Sequence, residues 1–324
     1  KIFVYAEWLK NTWNSIVLDD YIFDMISSAI RSKKSLFLYG VPGTGKSVLA
    51  KAIARFLEER SESIAIPYAI VINDQIIKIF DPVYHIPIQD ESFESNSNFI
   101  NQTVIDRRWI RCHPPTIISA GELTIDMLDL QYNSSVKYYE SPIHIKANGG
   151  VFIIDDFGRQ KDSPEKLLNR WILPLEENID ILSLNNGSKF PIPFEQFVIF
   201  ATNLEPAKLV DNAFLRRIKY KVHIDKISIQ SYKKIFEFEC QEKNLVYNDT
   251  DLNTIIEKYY ILPNTMMKAC EPKDITDRII DFCEYNNIAK ELTYDVMDYN
   301  FHLYFDSNLH LPEDSTYQLY RNDT

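Results

Sequence analysis

The chain of 324 residues has little glycine, few cysteines and no long apolar run. Its four cysteines, Cys112, Cys240, Cys270 and Cys283, are scattered without a Cys-x-x-Cys pair, so neither a zinc site nor a disulfide framework is indicated. No apolar run approaches the roughly 18 residues needed to span a bilayer, and the first residues, KIFVYAEW, lack the zones of a signal peptide. We therefore expect a cytoplasmic protein with no membrane partner.

Net positive charge is also lacking, since the formal charge is −11 at pH 7. This balance disfavours indiscriminate binding to nucleic acid, although it does not exclude a local basic groove. The six histidines show no metal-ligand spacing. The length and the 45% hydrophobic content suffice for a large core and predict two domains.

The few glycines are concentrated in two places, the first of which is the segment GVPGTGKS at Gly40 to Ser47. It fills every fixed position of the phosphate-binding pattern G-x-x-x-x-G-K-[ST]. An apolar run of strand length precedes it, and apolar residues recur at helical spacing after it. In that context successive backbone N–H groups and a helix N-terminus face a polyphosphate, so the segment predicts nucleoside triphosphate binding. A glycine turn without a ligand is the alternative, which the filled pattern disfavours.

Within this loop the side chains have separate predicted roles. Lys46 would reach the β- and γ-phosphates as a point charge, and the Ser47 hydroxyl would ligate Mg²⁺. The predicted nucleotide-binding residues are Gly40, Val41, Pro42, Gly43, Thr44, Gly45, Lys46, Ser47 and Val48.

The remaining glycines surround the run VFIIDD, in which four apolar residues end in Asp155 and Asp156. This pattern predicts a buried parallel strand that delivers two carboxylates at its C-terminal edge, where ligands bind in doubly wound sheets. Asp155 would hold Mg²⁺ through water, and Asp156 would orient or deprotonate the attacking water. A solvated acidic turn is the alternative.

A second apolar run, Phe197 to Phe200, leads to Asn203. It predicts another buried strand that finishes on a polar residue able to reach the nucleophilic water. The alternative is that Asn203 only caps a helix or turn.

The motifs GVPGTGKS, VFIIDD, FATN and AFLRR occur in the order found in AAA+ ATPases, and the match spans about residues 14 to 222. The chain resembles that superfamily. The resemblance implies an α/β domain over 1–222 with a parallel sheet flanked by helices, a small α-helical lid over 223–305, and a tail over 306–324. It also implies hydrolysis of ATP with Mg²⁺, and a homo-oligomer that forms a hexameric ring.

Residues 164–177 have helical spacing, and a hairpin over about 179–193 follows, because Asn186-Gly187 lies between two strand-like runs. This order is similar to the pre-sensor hairpin superclade. The sequence ANGGVFIIDD is similar to the corresponding sequences of both MoxR-like ATPases and enhancer-binding activators. We place the chain nearer the MoxR-like branch, since it lacks a counterpart of the activators' GAFTGA loop.

Two further cationic positions follow from the resemblance. In AAA+ rings an arginine at the place of Arg216 and Arg217 reaches the neighbouring subunit's γ-phosphate, and Arg217 is the better match. An exposed arginine pair bonded to nearby acids is the alternative. Lys273 occupies the place of the family's second sensor arginine, and it lacks the bidentate fork of that residue.

The passage 60–148 is long enough to predict an insertion. We expect strands over 67–72, 75–80 and 115–120, a short helix over 123–129, a surface loop over 90–101 and a pore-facing loop over 132–139. The run RRWIR at 107–111 indicates either contact with a phosphate or substrate, or a solvated face with a packed Trp109.

These patterns together predict a chaperone-like remodelling ATPase that acts on a protein substrate or adaptor. A nucleic-acid motor or clamp is an alternative, disfavoured because 180–187 of the hairpin carries no positive charge and only Lys189 follows. A slow ATP-binding switch is the other alternative. It is favoured in part because Asp156 stands where the family usually has glutamate.

Overall fold

The computed structural model describes residues 18–88, 106–209, 215–246 and 248–306. The predicted surface loop 90–101, the start of the AFLRR motif and the tail from 307 lie outside the described residues. The chain divides into two compact units. The first comprises Asp19–Val41 and Lys46–Ile224, and the second comprises Pro42–Gly45 and the residues from Asp225 onward.

The first unit combines short helices with thirteen described strands. The helices are α1 (Asp20–Ser32), α2 (Lys46–Arg60), α3 (Ile143–Lys146), α4 (Pro164–Arg170), α5 (Ile172–Glu177) and α6 (Pro206–Leu209). The strands are β1 (Leu36–Tyr39), β2 (Ile64–Pro67), β3 (Ala69–Ile72), β4 (Gln75–Lys78), β5 (Trp109–Cys112), β6 (Thr116–Ser119), β7 (Gln131–Asn133), β8 (Tyr138–Glu140), β9 (Val151–Ile154), β10 (Ile179–Ser183), β11 (Lys189–Pro193), β12 (Phe197–Thr202) and β13 (Tyr220–His223).

A five-stranded parallel sheet forms the centre of this unit, in the order β13-β1-β12-β9-β6. Every residue of β9 and β12 is buried. Such near-continuous apolar strands are typical of parallel sheets covered on both faces. The predicted parallel α/β fold is confirmed. Because the strands are parallel, the residues that follow β1, β9 and β12 meet at one edge of the sheet, the carboxyl edge.

Aromatic side chains fill the core behind this edge. Phe37 stacks on Phe200 with ring centroids 5.7 Å apart, and Phe157 meets Phe200 edge-on at 5.4 Å. Trp171 packs edge-on against Phe152 and Phe200 at 6.0 and 5.9 Å. This rigid packing supports the strand ends that carry the acids.

Three small sheets lie outside the central one. They are the pair β2-β5, the four-stranded β3-β4-β8-β7 and the hairpin β10-β11. The predicted hairpin is present, with Ser183 paired to Lys189. The passage 60–148 is not one inserted block, since β6 within it is the edge strand of the central sheet. The segment 132–139, expected as a loop, contributes to β7 and β8 on either side of a short turn, and its pore-facing role stays a prediction. The helix expected over 123–129 is only a 3₁₀ turn at Ile125–Leu128.

The helix predicted over 164–177 is present, but in two pieces rather than one. The structure breaks it at Trp171, which separates α4 from α5 and buries its ring in the core. The break has a local cause, because Pro174 has no N–H to donate to the carbonyl group four residues earlier. The sequence pattern shows the apolar face of both pieces but not the break at Trp171.

Helices make up the second unit beyond its loop segment Pro42–Gly45. They are α7 (Ile229–Glu242), α8 (Asp249–Ile256), a π-helical turn (Glu257–Ile261), α9 (Glu271–Tyr285) and α10 (Tyr294–Asp306). Their core contains a polar chain, in which the hydroxyls of Tyr232 and Tyr260 are 2.9 Å apart and Tyr260 donates to Glu271 Oε2 at 2.9 Å. The predicted helical C-terminal region is therefore present. None of the described helices is long and apolar enough to cross a membrane.

Candidate active site

The loop after β1 owes its shape to glycines in the left-handed region. Gly40 has a φ of 145°, Gly43 of 83° and Gly45 of 88°. At Gly40 a Cβ atom would also collide with the carbonyl oxygen of Ile224. Backbone conformation and close approach therefore both require glycine at this position.

Lys46 is the first residue of α2 and is 6% exposed. Its Nζ donates to the carbonyl oxygens of Gly40 at 3.0 Å and Val41 at 2.7 Å. Burial lowers the pKa of Lys46, and the charges of Asp156 and Asp155 oppose that shift. The loop thus holds a cationic amine beside the two acids, which is an arrangement suited to a polyphosphate. Val48, two residues further along α2, is exposed.

Ser47 connects the loop to the acidic strand. Its hydroxyl donates to Asp155 Oδ1 at 2.8 Å. The backbone of Asp155 is in turn fixed by a hydrogen bond from its N–H to the carbonyl oxygen of Ser119, at 2.8 Å. Hydroxyl and carboxylate oxygens are hard ligands of the kind that Mg²⁺ takes in proteins alongside water and phosphate. These residues fit the predicted metal. The described residues contain no cluster of three or more His, Cys, Asp or Glu that could form an all-protein cage.

Asp156 points in a different direction from its neighbour. Its Oδ1 accepts a hydrogen bond from Asn203 Nδ2 at 3.1 Å, while its own N–H donates to Asp155 Oδ1 at 3.0 Å. Its φ of 47° lies in the left-handed region, which a residue with a Cβ atom adopts less readily than glycine does. One carboxylate therefore faces Ser47, and the other faces Asn203.

The turn that carries Asp156 is anchored to β12 on one side. Phe157 N–H donates to the carbonyl oxygen of Ala201 at 2.8 Å, and the Thr202 hydroxyl donates to the carbonyl oxygen of Phe157 at 2.6 Å. Sequence reasoning missed this anchor and the strained backbone. The signal that could have found them is Gly158, which has a φ of 103° and marks a tight turn after the acids.

The two arginines lie elsewhere. Arg216 and Arg217 line a cavity of about 470 Å³ together with Lys34, Ser35, Leu175, Glu176 and Lys219. Arg216 is exposed, whereas Arg217 is 27% exposed and its Nε lies 2.6 Å from Glu176 Oε1.

This cavity lies at the amino edge of the central sheet, opposite the carboxyl edge. Lys34 and Ser35 immediately precede β1, and the phosphate loop immediately follows that strand. The four residues of β1 span about 13 Å at roughly 3.3 Å per residue. The chain therefore does not bring Arg216 and Arg217 together with its own Asp155 and Asp156.

Two further predicted positions have mixed outcomes. Lys273 lies exposed in the first turn of α9, and its contact with a phosphate stays a prediction.

Trp109 is 47% exposed, so the packed tryptophan considered for the RRWIR run is wrong. In that run Arg108 binds Asp106 through two nitrogens and holds the pKa of Asp106 at about 2. Contact of the run with phosphate or substrate stays a prediction.

Solved structures with the same architecture include two bacterial proteins. A mutant of RuvB from Thermotoga maritima superposes with a TM-score of 0.51 at 13% identity, over 89% of this chain and 71% of RuvB. NtrX from Brucella abortus in complex with ADP gives a TM-score of 0.52 at 10% identity, over 98% of this chain and 62% of NtrX. The fold is that of the AAA+ P-loop ATPases.

Sequence families match two parts of the chain. A domain of unknown function (DUF8689) matches residues 228–302, and the parvovirus non-structural protein NS1 family matches residues 3–60. No curated protein sequence matches the chain. The MoxR-like assignment accordingly stays a prediction.

Proposed function

We propose that the protein is a Mg²⁺-dependent ATPase that works as a ring of identical subunits on a protein substrate. The observation that carries this proposal is the arrangement at the carboxyl edge. There Ser47 meets Asp155 at 2.8 Å, and Asn203 meets Asp156 at 3.1 Å. Two acids with separate partners beside a buried lysine suit the two tasks of holding a metal and activating a water.

Each residue then has one task in hydrolysis. Lys46 and the loop N–H groups bind the phosphates, and Ser47 with Asp155 would hold Mg²⁺, which would neutralise charge on the phosphate oxygens. Asn203 orients Asp156, and Asp156 accepts a proton from the attacking water. The water oxygen bonds to the γ-phosphorus, the bond to the β-phosphate oxygen breaks, and ADP and phosphate leave.

The cationic cavity supports a ring. Arg216 and Arg217 lie at the amino edge, away from the phosphate loop of their own chain. A guanidinium offers a permanent charge and a forked donor that meets phosphate oxygens bidentately. In the proposed assembly, a hexameric ring, one of these arginines reaches the γ-phosphate bound by the neighbouring subunit.

The hairpin supports a protein substrate or adaptor. On its outer face Ile179 is 43% exposed and Ile181 is 45% exposed, and Pro191 and Pro193 are also exposed. Lys189 is the one cation of this face. An apolar surface of this kind suits contact with a polypeptide better than contact with a phosphate backbone. The proposed role is therefore chaperone-like, as in the MoxR-like branch.

Molar mass and ATP turnover, measured together with and without nucleotide, test the proposal. Nucleotide should convert the chain to a larger assembly that hydrolyses ATP in the presence of Mg²⁺. Lys46→Ala should abolish measurable ATP binding with the fold intact, whereas Lys51→Ala, at an exposed position on the same helix, should behave as wild type.

Tight ATP binding by Lys46→Ala would overturn the assignment of the phosphate loop. Turnover stimulated by single- or double-stranded DNA, with no response to an unfolded protein, would favour a nucleic-acid motor. Tight binding and assembly with negligible turnover would favour a switch.

A further inference from the structure

Gln160, four residues after Asp156, spans the turn beneath the acids. Its Oε1 accepts a hydrogen bond from Gly158 N–H at 2.8 Å. Its Nε2 donates to the carbonyl oxygen of Ala120 at 3.1 Å, and to those of Asp155 and Asp156 at 3.3 Å each. The chemistry fixes the orientation of this amide, because a flipped group would place its oxygen against three carbonyl oxygens.

These contacts join the turn to the opposite neighbour of β9. Phe157 holds the turn to β12, as described above, and Gln160 holds it to Ala120, the residue that follows β6. Asp156 directly precedes the Phe157 anchor and has a φ of 47°, and its carbonyl oxygen accepts a hydrogen bond from Arg159 N–H at 3.0 Å. Because the left-handed region is less favourable than the right-handed one for a residue with a Cβ atom, the contacts that hold this turn also hold the conformation of Asp156.

We propose that Gln160 is the positioning residue for Asp156, and that its amide keeps the Asp156 carboxylate directed at Asn203 by fixing the backbone beneath it. The inference rests on the proposed ATPase function. Gln160 contacts backbone atoms and not the reacting groups. Without its amide, Asp156 can relax toward the common right-handed region, and its carboxylate then leaves the position from which it accepts the proton of the water.

A double-mutant cycle tests the proposal. The variants are Gln160→Met, which keeps the length of the side chain and removes its hydrogen bonds, Asp156→Asn, and the combination of both. Lys161→Met, at the exposed neighbouring position, is the matched control. For each protein kcat, the ATP dissociation constant and the melting temperature are measured.

Gln160→Met should lower kcat about tenfold or more, because a small displacement of a catalytic group is costly, and should leave the ATP dissociation constant within about twofold. Added to Asp156→Asn, it should lower kcat no further, since the two residues act as one unit. Lys161→Met should leave both values unchanged.

An unchanged kcat in Gln160→Met would overturn the proposal, and so would an equal fold-loss in both backgrounds. Wild-type kcat in Asp156→Asn would instead overturn the role of Asp156 in the proposed function. If Gln160→Met does not fold, Gln160→Glu repeats the cycle, because it keeps an acceptor for Gly158 N–H and loses the donor. Failure of both variants to fold would also overturn the proposal, since the role of Gln160 would then be structural.

Discussion

The two edges of the central sheet differ in how they hold their charged groups. At the carboxyl edge Lys46 is buried, and Asp155 and Asp156 are fixed by short hydrogen bonds to Ser47 and Asn203. The amino edge instead presents an open cavity with exposed cations, and one ion pair joins Arg217 to Glu176. The charged groups of the carboxyl edge are held in fixed positions by hydrogen bonds, whereas the cations of the amino edge are long side chains that extend toward solvent.

In the proposed function, this difference means that each edge holds half of a phosphoryl-transfer site. In that function the carboxyl edge supplies the phosphate loop, the metal ligands and the acid, but neither Arg216 nor Arg217. The cavity at the amino edge supplies arginines and contains no part of the phosphate loop. Because the halves lie at opposite edges of one sheet, we expect a second copy of the chain to complete the site.

The largest effect should come from removing the charge of Asp156, which tests the carboxyl edge directly. Asp156→Asn should keep ATP binding and assembly but lower kcat about a hundredfold or more, as expected for loss of a positioned base. Asp155→Asn should instead weaken Mg²⁺-dependent ATP binding, because that carboxylate faces Ser47. Steady-state turnover and a magnesium titration of ATP binding separate the two.

Asp156→Glu is the sharper variant at the same position. A gain in turnover would show that the shorter acid makes this chain a slow ATPase and would favour the switch. A loss of turnover would show that the turn accommodates aspartate but not the longer glutamate side chain. Equal rates for Asp, Asn and Glu would remove residue 156 from the mechanism.

The carboxyl edge was predictable from sequence because each of its parts is local. Glycines at fixed spacing define the phosphate loop, and a buried apolar strand delivers the residue that follows it to a known edge of a parallel sheet. Three separate motifs therefore gave Ser47, Asp155 and Asn203, and the sheet order brings the ends of their strands together.

The contacts that orient these residues were not predictable. Gln160 donates to Ala120, which lies 40 positions earlier in the sequence. Arg217, which precedes β13, pairs with Glu176 of α5, far earlier in the sequence. Such pairs depend on side-chain direction after folding, which periodicity does not encode. The break at Trp171 was missed for the related reason that both pieces present one continuous apolar face.

A smaller effect should come from the buried network beside the amino edge. Asp180 binds His144 Nε2 at 2.7 Å and Arg170 Nη1 at 2.6 Å, which fixes the segment that also carries Glu176. Burial lowers the pKa of His144, and its Nδ1 has no hydrogen-bond partner among the described residues. The ring is therefore neutral, since a second buried N–H would be unsatisfied.

The sign of the pH dependence follows. Below about pH 6.5 His144 binds a proton in the unfolded chain but not in the folded chain. The free energy of unfolding therefore falls as pH falls through that value. Between pH 7.5 and 5.5 this group should remove up to about 1.4 kcal/mol from the free energy of unfolding. His144→Gln should remove that part of the slope in urea titrations, while His113→Gln, at an exposed position, should not. An unchanged slope in His144→Gln would show that the folded and unfolded chains bind the His144 proton equally, which would contradict a neutral buried ring.

Subunit mixing tests most directly whether the two edges complete each other between copies. Arg217→Ala subunits, and separately Arg216→Ala subunits, are mixed with Asp156→Asn subunits at constant total concentration, with each variant alone as the control, and ATP turnover is measured. For the arginine that serves the neighbour, the mixture should regain turnover, because an Asp156→Asn subunit supplies its arginine to an adjacent subunit whose own acids are intact. No gain for either arginine in an assembled complex would show that each chain holds a complete site and would contradict the account.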